Sequence, residues 1–270
     1  MASSISPTSG PLRVGSVPYL VGRPLNLGLE HEAGIELSFD VPARLSAGLR
    51  AGTLDVALVS SIELFHHPGS SYLPGLGVIG EGYVGSVQLF LHEPLEALRT
   101  VALDPASRTA QALLQVLARE DERLPAGLTF HEVPLGIDPR TARLAGRSEP
   151  ADAFLRIGDV ALREHLDECL AHYNPSAAWA ERTGLPFVFA AWIARPGMDL
   201  EPYRPAFEAA AERGRAAAKA LAHEAAATWR LDPAAVEHYL TSECSFQIDP
   251  ARQAAALAAF GTRAHSAGLT

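Results

Sequence analysis

Strand and helix patterns alternate along most of this chain, and that alternation limits the folds that it can adopt. Short apolar runs with β-branched residues predict strands, as at residues 12–17 and 35–41. Residues 42–52 then predict a helix, because Pro42 suits a first turn and Gly52 suits a C-terminal end. Strands that alternate with helices favour a parallel or mixed sheet with covered faces, which is an α/β fold.

The alternation starts again near Pro94 and predicts a second lobe. Residues 100–120 predict a strand, a turn and a helix, and residues 151–166 repeat that order. An apolar run at 185–194 predicts a strand long enough to cross between lobes. From about Pro202 the chain is rich in alanine and predicts long helices.

We therefore predict two α/β lobes with a ligand cleft between them. Residues 1–93 and 190–270 form the first lobe, which carries the C-terminal helices, and residues 94–189 form the second. The chain is predicted to cross between the lobes twice, near each boundary. Ligands in such folds bind where strands end and helices begin.

Composition excludes several partners. The 270 residues are 48% apolar and carry a formal net charge of -9, so the chain has no basic excess for a nucleic acid. It contains no apolar run of about 18 residues for a membrane helix, and its polar N-terminus does not resemble a signal peptide. Cys169 and Cys244 are far apart, which predicts free thiols in a reducing cytoplasm. We make no prediction of the oligomeric state from the sequence.

Two strand-to-helix turns carry adjacent polar side chains. Ser60 and Ser61 follow one apolar strand, and Ser107, Arg108 and Thr109 follow another. Unpaired N–H groups at a helix N-terminus bind anions, and hydroxyls add donors, so a carboxylate is the expected guest. The alternative is that these serines only cap their own helices. Two such turns that face each other across a cleft would suit a dicarboxylate.

Three further positions are candidates for the site. Ser86 follows Gly85 beside a predicted crossing segment, where glycine allows close approach of a ligand. Gly158 and Asp159 lie at a strand-to-helix turn, where Asp159 either caps the helix or shapes the cleft floor. Residues 14–25 read as a strand that stops at a turn and a helix start.

The motifs of several other chemistries are missing from the sequence. His66 and His67 are adjacent, which does not suit a metal, and the sequence has no zinc, haem or iron–sulfur spacing. It contains neither GxGxxG nor GxxxxGK[ST], and no GxSxG elbow. We therefore predict no metal site, no nucleotide cradle and no serine-triad hydrolysis.

Seven segments in order resemble the chorismate dehydratases of the futalosine route to menaquinone, a family similar in fold to type II periplasmic solute-binding proteins. The segments are VGSVPYL with RPL, AGTLDVALVSSIE, GSVQLF, VALDPASRTAQALL, ADAFLRIGDVAL, TGLPFVFAAW and YLTSECSFQI. The resemblance implies cofactor-free dehydration of chorismate to 3-[(1-carboxyvinyl)oxy]benzoate, which makes the ring aromatic. It leaves the enzyme to hold two carboxylates and assist departure of the hydroxyl. The hypothesis for the proton acceptor is a carboxylate of the substrate itself.

The resemblance also assigns roles to the polar turns. Ser107 and Thr109 match residues that bind a substrate carboxylate, whereas Arg108 either clamps an anion or pairs with Asp104. Ser86 matches the family serine expected to touch the reacting ring, and is the predicted catalytic residue. Ser60 and Ser61 remain predicted substrate-binding residues.

The other matches lie in the first turn and the second lobe. Tyr19 and Leu20 match an aromatic–Leu pair, and Gly158 and Asp159 match the turn after a second-lobe strand. The family commonly has asparagine where this chain has Val21, and valine cannot donate a hydrogen bond to a leaving hydroxyl. The nearby Arg23 either compensates for this change or is a surface residue. Tyr19, Val21 and Arg23 all belong to the predicted substrate-binding set.

Residues 173–179 also depart from the family, which tends to have DLG before the tryptophan. This loop can differ without affecting activity, but the fold alone and the change at Val21 leave two other functions open beside the enzyme. One is a cytoplasmic paralogue that binds a small carboxylate without catalysis. The other is an exported solute-binding protein, which the polar N-terminus disfavours.

Overall fold

A computed structural model describes residues 10–144, 149–168 and 171–270. The strands are β1 Leu12–Ser16, β2 Ile35–Phe39, β3 Val56–Ser60, β4 Ser71–Gly80, β5 Val87–Leu91, β6 Thr100–Leu103, β7 Thr129–Glu132, β8 Ala153–Ile157, β9 His172–Tyr173, β10 Phe187–Ala194 and β11 Cys244–Gln247. The α-helices are α1 Arg23–Asn26, α2 Pro42–Ala51, α3 Glu63–His66, α4 Arg108–Glu120, α5 Gly158–Glu168, α6 Pro175–Thr183, α7 Arg204–Trp229, α8 Pro233–His238 and α9 Pro250–Ser266. Short 3₁₀ turns cover Leu20–Gly22, Leu29–His31, Leu95–Ala97 and Glu201–Tyr203, and a π-helical turn covers Tyr239–Glu243.

In the described ranges the strands form two mixed sheets, one for each lobe. The sheet of the first lobe has the strand order β11-β4-β10-β3-β1-β2, in which β1 is parallel to β2 and β3, and β10 is antiparallel to β3 and β4. The sheet of the second lobe has the order β7-β6-β8-β5-β9, with β6 parallel to β7 and β8. The predicted two-lobed α/β fold is confirmed.

Along the described residues, the chain passes between the sheets twice. The first passage lies between Gly80, where β4 ends, and Val87, where β5 begins. The second lies between Tyr173 and Phe187, because β10 pairs with β3 and β4 along its length and so belongs wholly to the first lobe. Both passages precede the predicted boundaries at 93/94 and 189/190 by several residues.

Local sequence signals explain where the helices begin and end. Helix α2 starts with Pro42 and ends at Gly52, whose left-handed backbone (φ 69°) accommodates the helix end. Helix α4 is capped by Ser107, whose Oγ accepts a hydrogen bond from Ala110 N. The predictions for both helices are confirmed. The predicted first strand is shorter than expected, since β1 ends at Ser16, two residues before Pro18.

The long helix α7 supports the start of the chain. Gly214, on its buried face, lies directly against the backbone of Pro24 in α1. Arg213 Nε donates to the Leu27 carbonyl oxygen at 2.8 Å, which fixes the segment after α1 on the same helix. Helix α7 therefore positions residues 19–26, which carry the first turn of the predicted site.

Two further predictions from the sequence concern membrane-spanning helices and the cysteines. None of the helices in the described ranges is both long and apolar enough to cross a bilayer. Cys244 is buried and is a free thiol, whereas Cys169 lies outside the described residues.

Candidate active site

A cavity of about 330 Å³ lies between the lobes. Its walls include the C-terminal end of β3, the loop after β6 and the turn between β8 and α5, where ligands bind in open α/β sheets. The predicted site residues that line it are Tyr19, Val21, Ser60, Ser86, Ser107, Gly158 and Asp159. The predicted residues that do not line it are Arg23, Ser61, Arg108 and Thr109.

The first turn brings two side chains to the cavity and directs one away. Tyr19 and Val21 line the cavity, because the chain leaves β1 and winds through a 3₁₀ turn into α1. Arg23 points outward, and its Nη2 donates to Glu224 Oε2 on α7 at 2.9 Å. The structure therefore favours the surface alternative for Arg23, which supplies no donor beside Val21.

Asp159 connects the two lobes across the cavity. Both of its carboxylate oxygens lie 3.2 Å from the backbone nitrogen of Leu20, which donates to them. Burial raises the pKa of Asp159, and the bond from Leu20 partly offsets that shift. The carboxylate therefore contacts the opposite lobe, and its role in shaping the cleft stays a prediction.

The turn formed by Ser107, Arg108 and Thr109 places its three side chains in different surroundings. Ser107 faces the cavity and caps α4. Arg108 Nη1 donates to Glu63 Oε1 at 2.8 Å, so its predicted alternative pairing with Asp104 is wrong. Thr109 is fully buried, and its Oγ1 accepts a hydrogen bond from Ile62 N of the first lobe at 3.1 Å.

Ser61 shares that buried contact between the lobes. Its hydroxyl donates to the Val188 carbonyl at 2.6 Å and lies 3.5 Å from Thr109 Oγ1. The hydroxyls of Ser61 and Thr109 therefore stabilise the junction of the lobes and do not face the cavity. Ser60, one residue earlier on β3, does face it.

Ser86 lies on the first passage between the sheets and is held from two sides. Its carbonyl accepts a hydrogen bond from Gly158 N at 2.8 Å. Its Oγ accepts one from Tyr239 Oη at 2.9 Å, so the serine hydroxyl hydrogen remains available to a ligand in the cavity. Gly85 N donates to Glu243 Oε2 at 2.6 Å and fixes the preceding residue.

Sequence reasoning missed Tyr239 as a partner of Ser86. Tyr239 is fully buried, and burial raises its pKa well above the usual value, which keeps the hydroxyl protonated as a donor. The neighbouring Cys244 thiol lines the cavity, and burial raises its pKa to about 12. Both residues lie in the YLTSECSFQI segment, whose place beside the cavity depends on long-range packing.

Two further charged residues of the cavity were also missed. Arg156 is buried in β8, and its guanidinium donates to Glu164 (3.0 Å to Oε1) and to Asp138. Asp104 accepts hydrogen bonds from the backbone nitrogens of Ala106 and Ile157, yet burial raises its pKa. A single arginine inside the apolar strand pattern AFLRI is the signal that would have pointed to Arg156.

The cavity is therefore apolar with a few polar groups. Burial raises the pKa of Tyr19, and the negative charges of Asp104 and Asp159 raise it further. Among the residues that the structure describes, no three His, Cys, Asp or Glu side chains come together as a possible metal site.

Solved structures with this arrangement define the class of the fold. Protein AF1704 from Archaeoglobus fulgidus superposes with a TM-score of 0.70 at 18% identity, over 98% of this chain and all of the other. The alkanesulfonate-binding protein SsuA from Xanthomonas axonopodis pv. citri, bound to MOPS, gives 0.64 at 18% identity over 97% and 95%. The Candida albicans CA3427 product, with the generic periplasmic binding protein fold, gives 0.63 at 12% identity over 96% and 90%. The chain thus has a periplasmic-binding-protein-like fold.

Sequence comparison shows the family. A family model described as menaquinone biosynthesis matches residues 12–266. Chorismate dehydratase from Thermus thermophilus is 32% identical over an alignment of 252 positions, which covers 83% of this chain and 87% of the relative. Chorismate dehydratase from Campylobacter jejuni is 27% identical over 183 residues, or 65% and 64% of the two chains. The chain belongs to the chorismate dehydratase family of menaquinone biosynthesis.

Proposed function

We propose that this protein is a chorismate dehydratase, a carbon–oxygen lyase that converts chorismate to 3-[(1-carboxyvinyl)oxy]benzoate without a cofactor. The observation that carries the proposal is the 32% identity to a curated chorismate dehydratase across most of both chains. We further propose that the reaction belongs to the futalosine route to menaquinone and takes place in the cytoplasm.

The cavity suits a small ring with polar substituents. Val21 and Phe189 contribute apolar wall, and Ser86 presents a hydroxyl donor. Ser107 caps the N-terminus of α4 and faces the cavity, so its hydroxyl hydrogen, at the positive end of that helix, suits one carboxylate of the substrate. Residues 104–107 and the first turn then orient the ring between the lobes.

The reaction itself breaks two bonds at the ring. The C–O bond to the ring hydroxyl breaks, a neighbouring C–H bond gives up its proton, and the two carbons gain a double bond that completes an aromatic ring. The hydroxyl leaves as water. We propose that a carboxylate of the substrate accepts the ring proton and passes it to the departing hydroxyl, so that one water is lost overall, and that Ser86 donates a hydrogen bond to the reacting part of the ring.

Val21 supports a second candidate function, a protein that binds chorismate or a similar dicarboxylate without turnover. Val21 faces the cavity, where it can neither donate nor accept a hydrogen bond, and Arg23 points away from it. Wild-type protein and Val21→Asn should therefore be compared by mass spectrometry after incubation with chorismate. We expect product from the wild type. Product from Val21→Asn alone would contradict the enzyme and support the binding protein.

Tyr239→Phe tests the orientation of Ser86. The phenyl ring keeps the buried packing, but Ser86 Oγ loses its donor and its hydroxyl is free to turn. We expect kcat to fall by about tenfold, with KM within about twofold of the wild type, because the lost interaction acts on the reacting ring. Steady-state kinetics with chorismate measure both. A raised KM with unchanged kcat would show that Tyr239 acts on binding instead.

A further inference from the structure

The charges that line the cavity do not match a substrate with two carboxylates. Among the described lining residues the one cation is Arg156, and its guanidinium already donates to Asp138 and Glu164. The carboxyl groups of Asp104 and Asp159 line the same space. The N-terminus of α4 suits one substrate carboxylate, so the second needs a positive group elsewhere.

A side pocket of about 120 Å³ adjoins the cavity. The two spaces share four lining residues, Pro42, Ser60, Pro105 and Ala106. The remaining walls of the side pocket come from α2 and the first residue of α3 in the first lobe, and from the first residue of α4 in the second lobe. Both lobes therefore build it, as they build the cavity.

Two guanidinium groups in the side pocket share one carboxylate. Glu63 is buried, with 2% of its side chain exposed, and lies 2.8 Å from Arg108 Nη1 and 3.7 Å from Arg50 Nη1. His67 Nε2 also lies 3.0 Å from Glu63, but His67 lines neither the cavity nor the side pocket. One carboxylate cannot neutralise two guanidinium groups, so the pocket keeps at least one net positive charge.

Hydroxyl groups complement this charge. Ser46 of α2 and Ser60 of β3 are both buried residues that line the side pocket. An anion there would meet two cations and two hydroxyl donors, which is the donor set that carboxylates prefer. Glu63 accepts a hydrogen bond from Arg108 at 2.8 Å, so the Arg108 side chain is partly ordered before an anion arrives, whereas Arg50 lies 3.7 Å away and can turn toward the anion.

We propose that the side pocket binds the second carboxylate of the substrate, with Arg50 and Arg108 as its cations. This inference rests on the proposed function, since it is the dicarboxylate substrate that needs a second subsite. Arg50 belongs to the first lobe and Arg108 to the second, so a carboxylate held by both also draws the lobes together.

Arg50→Gln tests the subsite, and Arg44→Gln is its matched control. Both arginines lie on α2, but the Arg44 side chain is 78% exposed and pairs only loosely with Asp40, at 3.6 Å. We expect the Kd of chorismate, measured by calorimetry, to rise by about tenfold or more in Arg50→Gln. In Arg44→Gln it should stay within about twofold of the wild type. Arg50→Lys should recover part of the affinity, because it keeps the charge.

The results of these measurements distinguish failure of the proposed carboxylate subsite from failure of the proposed dehydratase function. Equal Kd values for wild type, Arg50→Gln and Arg44→Gln, all with unchanged thermal unfolding, would overturn the subsite even if product forms. A raised Kd in Arg50→Gln alone, with no product from the wild type, would support the subsite and overturn the dehydratase. Wild-type protein that does not bind chorismate would contradict both.

Discussion

Gly214→Ala is expected to lower the free energy of unfolding by about 3 kcal/mol or more, although alanine is the better helix former. A Cβ at position 214 would overlap the carbonyl group of Pro24, because α1 lies directly on α7 there. Alanine in a helix interior gains about 1 kcal/mol over glycine. Overlap with a backbone group has no flexible side chain to absorb it, so we expect the steric cost to exceed that gain.

The same substitution should also disturb the cavity. To relieve the overlap α1 must move away from α7, and Tyr19 and Val21 lie just before α1. Urea unfolding and the Kd of chorismate measure the two effects. Ala216→Gly, on the exposed face of α7, is the control. Helix propensity alone predicts that it lowers the free energy of unfolding by about 1 kcal/mol. A Gly214→Ala protein more stable than the wild type would show that α1 tolerates the displacement.

Asp55→Asn is expected to cost about 3 kcal/mol of stability, the second large effect. Asp55 is fully buried next to β3 and accepts hydrogen bonds from Arg13 Nε and Nη2 of β1 (2.9 and 2.8 Å) and from Arg195 Nε (2.9 Å). These bonds hold the pKa of Asp55 well below its usual range, against the effect of burial. Asparagine leaves both guanidinium groups without a counter-charge. Because the Arg13 side chain is 38% exposed, water partly screens the loss, and we expect the lower end of the range.

The exposed pair Glu201 and Arg204 provides the control for Asp55. Its geometry is also bidentate, at 2.9 and 2.6 Å, but 66% of the Glu201 side chain is exposed. Glu201→Gln should therefore change urea unfolding far less than Asp55→Asn. Similar losses in both variants would show that burial does not set the strength of the Asp55 cluster. Asp55 lies just before the start of β3, whereas Ser60, at the far end of that strand, faces the cavity. Asp55→Asn protein that folds should therefore keep the wild-type Kd for chorismate.

The sequence predicted those features whose causes are local. Helix α2 was predictable because Pro42 and Gly52 act within a few residues of themselves, and the Ser107 cap for the same reason. The alternation of strands and helices predicted the fold class, since each apolar face needs a cover. The family resemblance added the chemistry, which neither periodicity nor composition contains.

What the sequence could not predict depends on how the lobes meet. Ser61 and Thr109 look like further anion donors, but their hydroxyls face each other across the junction between the lobes. Tyr239 reaches Ser86 from 153 positions away in the chain. The strand β5 has four apolar residues of five, like the first-lobe strand β3, so its place in the second sheet could not be predicted from its composition.

Val21 gains significance from the structure. It lines the cavity, as expected for the first turn, and Arg23 does not replace the asparagine that the family commonly has there. If the chain dehydrates chorismate as proposed, departure of the hydroxyl relies on other donors, and we propose Ser86, which accepts a hydrogen bond from Tyr239. Aromatisation supplies much of the driving force, which reduces the demand on any single donor.

The most direct test of the dehydratase function is product formation by the wild-type protein. Purified protein is incubated with chorismate in buffer without added cofactor, beside a sample without protein, and both are followed by mass spectrometry and proton NMR. We expect loss of one water, and aromatic ring signals of 3-[(1-carboxyvinyl)oxy]benzoate that grow in proportion to protein concentration. Chorismate that stays at the level of the protein-free sample, while calorimetry shows that it binds, would contradict the enzyme.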